Sequence, residues 1–233
     1  MKIKFSLILF SIVLCTQMQI LAQNSFEASE KMYGLDQQLY SGRIYYYIPG
    51  QRVTGDQYWY SPEFMLGSVS RNDSLRGNQL LNFDVTNGYI LLQFEHISHM
   101  RQTIILPDSL TEYVEINGSR YEYFRDDYGF RRIALIVGDS QLGIALVAYK
   151  ELNLNPTTGL AQFEFSKLHF AKYLLHNDSK TYFRRKSTFL KLLDPALRAD
   201  VRKFIRSNRI SFRKNKPEQF AALLAYYQEI KTK

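Results

Sequence analysis

Leu81-Asn82-Phe83-Asp84-Val85, followed by Thr86-Asn87-Gly88 and then Tyr89-Ile90-Leu91-Leu92-Gln93-Phe94, is the stretch on which the fold turns. Asn-Gly suits a two-residue hairpin turn because both central residues must take positive φ, which these two tolerate best. The first arm alternates. Leu81, Phe83 and Val85 fall on one face and Asn82 and Asp84 on the other, the period of a strand that presents its apolar side to a core. Asn117-Gly118 repeats the device between 113–116 and 120–124. Two such signals in one chain predict an antiparallel β-meander.

Working outward, Asn72-Asp73 follows the strand candidate 64–70, and Asn177-Asp178-Ser179 joins 169–175 to 181–186. The segment from Gly138 to Gly143 joins two nearly continuous apolar runs, 133–137 and 144–149, which are expected at the buried centre. With 43–48 added, about nine or ten strands are expected. The segment 49–62 has loop composition but holds Tyr58-Trp59-Tyr60 and the only Trp of the chain. So many rings predict a loop folded over the sheet.

Past Lys186 the period changes from strand to helix. Asp194-Pro195 is a helix start, with Asp as N-cap and Pro at the first helical position. Leu197, Val201, Phe204 and Ile205 follow at helical spacing, and Asn208 can close the helix. Pro217 opens another with Phe220, Leu223, Leu224 and Tyr227 on one face, and a shorter helix begins at Ser187-Thr188. The fold class is therefore α+β, an antiparallel meander packed with C-terminal helices. Two forms of the sheet stay open from sequence: flat, or curled into a barrel or half-barrel. No Gly, Ser or Pro linker divides 23–186 from 187–233, so the basic helical region is expected to pack on the β region.

The N-terminus fixes the expected address. Lys2 and Lys4 precede the apolar run 5–14, and the small residue Ala22 follows Gln19-Ile20-Leu21. This is the layout of a signal peptide over 1–22. The apolar run is shorter than the roughly 20 residues that span a bilayer, and no later run approaches that length. Cys15 is the only cysteine, and Leu14 stands before it, where a lipoprotein signal places a small residue. Cleavage after Ala22 leaves a mature chain without a disulfide, so its stability must come from packing. The aromatic supply, 17 Tyr and 16 Phe against 12 Gly and 6 Pro, suits a packed β-rich protein. The protein is accordingly expected in the periplasm or at the outer membrane, or secreted.

Charge divides the chain. The formal net charge is +8, with Lys2 and Lys4 in the leader. From Lys180 onward there are 15 Lys and Arg against 4 Asp and Glu, a net of +11, so residues 23–179 carry −5. Arg198, Arg202 and Arg206 recur every four residues along one helical face, with Lys203 beside them and Arg209 continuing the charge. Three readings follow: a solvated face, a contact with the acidic body, or a site for phosphate or carboxylate, groups that Arg is shaped to bind. For an exported protein the anionic partner is a lipid headgroup, a glycan or an acidic protein. Nucleic acid suits the charge but not the address.

Catalytic patterns are weak. Gly138-Asp139-Ser140 begins like the Gly-Asp-Ser-Leu block of a hydrolase family, but Gln141 stands fourth and no Asp precedes a His by three. His96 and His99 could face a metal together on a helix, but on a strand that spacing sends them to opposite faces. Asp126-Asp127 reads as a solvated turn. Walker loops, dinucleotide fingerprints and Gly-x-Ser-x-Gly elbows are missing from the sequence. No catalytic residue, metal site or cofactor is expected.

Leu39-Tyr40-Ser41-Gly42, Gly67-Ser68-Val69 with Leu80-Leu81-Asn82-Phe83-Asp84, and the basic end carry a resemblance. In that end Phe183-Arg184-Arg185-Lys186-Ser187 leads to Leu190-Lys191-Leu192-Leu193, and Val201-Arg202-Lys203-Phe204-Ile205-Arg206 precedes Ile210-Ser211-Phe212-Arg213-Lys214. Together these resemble an uncharacterised family of exported proteins of Bacteroidetes. The resemblance implies export and a strand half that belongs with the helical half; it assigns no activity or site residue. The expected function is that of an envelope-associated binding or assembly protein without catalysis. The alternative is a periplasmic carrier of an apolar ligand in a curved-sheet cavity. Intact-mass analysis of protein recovered from the envelope fraction should show a chain beginning at Gln23 or close to it; an unprocessed chain in the cytoplasm would remove the basis for export.

Overall fold

The computed structural model describes residues 39–40, 42–47, 53–95, 100–155 and 162–232. The expected leader and cleavage site, Cys15, His96 and His99 lie outside the described residues. Eleven strands form one sheet in the order β1-β6-β5-β4-β3-β7-β8-β9-β10-β13-β14. These are β1 (Arg43–Ile44), β3 (Met65–Arg71), β4 (Ser74–Asp84), β5 (Tyr89–Glu95), β6 (Arg101–Ile105), β7 (Tyr113–Ile116), β8 (Ser119–Arg125), β9 (Arg131–Gly138), β10 (Leu142–Tyr149), β13 (His169–His176) and β14 (Ser179–Phe183). Three short strands, β2 (Val53–Thr54), β11 (Leu152–Asn155) and β12 (Gln162–Phe165), make a separate sheet, with β2 and β12 parallel. The meander is as expected, and the strands not anticipated are β6 in the large sheet and these short ones. The two to four residues of the short strands are too few for an alternating pattern to register.

The turns explain the register. Asn72-Asp73, Asn117-Gly118 and Asn177-Asp178 all adopt positive φ at both positions. They close two-residue hairpins whose flanking pairs are Arg71 with Ser74, Ile116 with Ser119, and His176 with Ser179. Asn87-Gly88 differs from expectation. Asp84 pairs with Tyr89, so the loop has four residues, and only Gly88 takes positive φ. The cause is Asp84, whose carboxylate accepts from the backbone N–H groups of Thr86 (3.1 Å) and Asn87 (2.9 Å). Such side-chain bonds offer the backbone an alternative to the ladder. Gly88 is required a second time by proximity, since a Cβ there would lie 2.2 Å from the Arg131 carbonyl oxygen.

That approach also shows how far the sheet rolls. The β4–β5 turn meets β9 although four strands separate β5 from β9 in the sheet order. Tyr123 on β8 accepts from the Ile90 N–H and donates to the Leu106 carbonyl, fastening the contact. The sheet is curled but not closed into a barrel, and the barrel form considered from sequence is corrected. Among the described residues β1 and β14 end the sheet, each paired on one side only.

The helices are α1 (Lys186–Leu192), α2 (Arg198–Ser207) and α3 (Pro217–Lys231), with a 3₁₀ turn at Pro195–Leu197. Their boundaries follow the sequence signals. Asp194 caps the 3₁₀ turn through Ala196 N–H (2.9 Å), Asn208 closes α2, and Pro217 opens α3. Thr188 and the Arg185 backbone exchange two hydrogen bonds at the start of α1. The layer packs on β9, β10 and β14. One contiguous apolar core joins Leu135, Ile144, Leu146 and Phe183 of the sheet to Phe189, Val201, Ile205, Phe220 and Leu224 of the helices. Phe212, between α2 and α3, meets the rings of Phe183, Phe189 and Phe220 at 5.4–6.1 Å. The loop before β3 is folded over the sheet as expected, with Trp59 set against Phe83, Tyr121 and Phe170. Phe220→Ala should lower unfolding free energy by about 3–5 kcal/mol. Chemical denaturation should still give one transition; two separate transitions would show that strands and helices unfold independently.

Candidate functional site

The basic residues picked out from the sequence divide into two groups. Arg198 turns back on the chain, its guanidinium donating to the carbonyls of Leu193 (3.1 Å) and Lys191 (2.9 Å). It thereby satisfies carbonyls at the C-terminal end of α1, where cations are favoured by the helix dipole. Arg202, Lys203 and Arg206 on α2, and Arg209 just after it, are exposed. Among the described residues the ion pairs are Arg120–Glu122, Arg125–Asp108, Arg131–Asp108, Arg132–Asp126 and Lys150–Asp56. All of them lie before residue 180, and none uses a cation of the helices. The helical layer is held by apolar contacts, and its positive charge faces outward. A cleft of about 480 Å³ near Lys191, Arg198 and Lys231 adds cations. It lies at the carboxyl ends of α1 and α3, whose partial negative charge these groups balance.

The other candidate turns were quiet structural devices. Asp139 accepts from the N–H groups of Gln141 and Leu142, forming the hairpin turn between β9 and β10. Asp126 likewise accepts from Tyr128 and Phe130 N–H groups and pairs with Arg132. No group of three or more His, Cys, Asp or Glu residues placed to hold a metal occurs among the described residues.

A second site was missed from the sequence. Asn82 and Asp84, on the second face of β4, are 0% exposed. A buried amide or carboxylate must be hydrogen-bonded to be tolerated, and both are. The Asn82 amide donates to the carbonyls of Ser61 (3.0 Å) and Glu63 (3.1 Å), holding the loop that precedes β3. Asp84 accepts from Thr86 and Asn87 N–H groups, from the Asn87 amide (2.8 Å) and from the Tyr45 hydroxyl (2.9 Å). That hydroxyl in turn accepts from the Gln57 amide (3.0 Å).

Beside this network opens a cleft of about 660 Å³, lined by Arg43, Tyr45, Tyr46, Tyr47, Asn87 and Tyr89, with Ile44 and Ile105 completing it. Arg43 donates to the Tyr89 hydroxyl (3.3 Å), and its guanidinium sits 5.7 Å from the centre of that ring. Arg131 lies 4.8 Å from the same ring and is already paired with Asp108. Burial, followed by the charge on Asp84, pushes the Tyr45 phenol far above its ordinary value. Burial also raises Tyr58 and, with Asp84, Tyr47. These groups therefore stay protonated, and Tyr45 stays a donor to Asp84, across the neutral range. The run Tyr45-Tyr46-Tyr47 was the available signal; its meaning depended on Asp84 being buried beneath it.

No family model matches the chain, and no curated protein and no solved structure matches it at a significant level.

A phenol whose folded pKa is raised adds stability that is complete below the unfolded value of about 10 and is lost as the pH rises through the folded value. Thermal melting should therefore be flat around neutrality and fall steeply above about pH 10. In Tyr45→Phe the alkaline fall should be shallower. The starting stability should be lower by about 1–3 kcal/mol, because Asp84 loses a donor. An unchanged alkaline slope in that variant would mean Tyr45 is not among the buried phenols.

Proposed function

We propose that this is an exported, envelope-associated binding or assembly protein, without a catalytic role, that holds an anionic envelope component on its helical surface. One observation carries the reading: Arg202, Lys203, Arg206 and Arg209 are exposed, while the ion pairs among the described residues are confined to the strand region. Cations without carboxylate partners on and just beyond a helix are suited to phosphate or carboxylate groups of a lipid, a glycan or an acidic protein. The reading that this charge docks on the acidic body has less support, since the helices meet the sheet through apolar side chains. The carrier alternative lacks a comparable observation, because Phe183, Phe189, Phe212 and Phe220 fill the space between sheet and helices. The address rests on the leader and on the family resemblance carried by the sequence.

The test is sedimentation with vesicles containing phosphatidylglycerol, compared with phosphatidylcholine alone and with an immobilised acidic polysaccharide. Binding should weaken as salt rises, since the Debye length shortens to about 8 Å at 0.15 M. Replacing Arg202, Arg206 and Arg209 together with Gln keeps good helix formers at the two helical positions and leaves Val201 and Ile205 in place. Retention should drop severalfold with the melting temperature unchanged. Retention equal to that of the parent protein at low salt would overturn the proposal.

A further inference from the structure

We propose that the tyrosine-lined cleft beside Asp84 binds an acidic sugar, a carboxylate-bearing unit of a polysaccharide. This is a second site, on residues distant in sequence from the basic helical surface. Its volume, about 660 Å³, falls within the range of about 300–1,000 Å³ common for small-molecule sites. Its chemistry narrows the ligand. Ring faces are offered next to hydroxyl, amide and guanidinium groups: Tyr46 is 80% exposed, Tyr47 is partly exposed, and Asn87 and Arg43 stand beside them. A pyranose ring matches that mixture, with a flat C–H face for the aromatic rings and hydroxyls around its edge for the polar groups. An acyl chain would cover the same surface and leave those polar groups without partners, which disfavours it.

Charge selects the acidic form of the sugar. Arg43 makes no ion pair among the described residues, and its bond to the Tyr89 hydroxyl uses one of five guanidinium donors. That bond and the ring beneath it orient the fork, so the remaining N–H groups can take a carboxylate side by side. The floor is organised before any ligand arrives. Asp84 fixes Tyr45 and Asn87 together, and Gln57 holds Tyr45 from the other side. Sites whose side chains are already locked lose less freedom on binding.

The test is calorimetric titration of the full chain with a trimer of galacturonic acid, with a neutral glucose trimer as comparison. Both titrations are repeated in the protein with Arg202, Lys203, Arg206 and Arg209 changed to Gln, which removes the cations proposed to act on the helical surface. The acidic trimer should bind in both backgrounds, and at least about tenfold more tightly than the neutral one. Arg43→Gln and Tyr46→Ala should each weaken it by about tenfold or more. Both side chains are exposed, so the variants should melt at the parent temperature. Failure of the acidic trimer to bind, equal affinity for the neutral trimer, or variants that bind like the parent would each overturn the inference. Binding lost only in the helix variant would place the sugar on the basic surface: this inference would then fail and the proposed function would stand.

Discussion

A carboxylate with no access to water governs the strand half of this protein. Asp84 has no cationic partner among the described residues; its charge is met by four hydrogen-bond donors, two from backbone and two from side chains. Burying it without them would cost several kcal/mol, so everything that supplies a donor is held in place. The β4–β5 turn is drawn into four residues, Tyr45 is pulled in from the segment after β1, and Gln57 follows to satisfy Tyr45. Asn82, two residues earlier on the same face, does the equivalent for the loop at Ser61 and Glu63. Around that loop Trp59 reaches the other side of the sheet and packs edge-on against Phe83 and Tyr121. The apolar core and the polar cleft thus hang from the two faces of one strand.

The helical half is assembled on a different principle. Its contact with the sheet is a run of phenylalanines, leucines and branched aliphatics, with Phe212 as the common neighbour of three other rings. Packing of this kind does not discriminate charge, so the cations opposite Val201 and Ile205 are left facing outward. In the strand half, by contrast, Arg125, Arg131, Arg132 and Lys150 are paired with Asp108, Asp126 and Asp56. The division of charge along the chain becomes a division of surfaces.

The contrast among the turns shows how far local signals reach. Asn117-Gly118 behaves as its dipeptide dictates, with both residues at positive φ between the Ile116–Ser119 pair. Asn87-Gly88, the same dipeptide, sits in a longer loop because an aspartate three residues earlier offers its backbone better bonds. Likewise Arg198, Arg202 and Arg206 are equivalent by spacing on a helix. Only Arg198 finds carbonyls within reach, those at the end of α1, because the chain turns at Leu193 and brings them back.

The sequence by itself determined the meander, the change to helices after Lys186, the caps at Asp194, Asn208 and Pro217, and the charge division, because each depends on residues within a few positions of one another. The tertiary structure alone decided that the sheet rolls without closing, since the meeting of Gly88 with Arg131 joins positions far apart in the chain. It alone decided that the polar face of β4 is buried. Alternation tells which side chains share a face and is silent on what covers that face. Here Tyr45 and the loop at Ser61 cover it, and the cleft exists because they do.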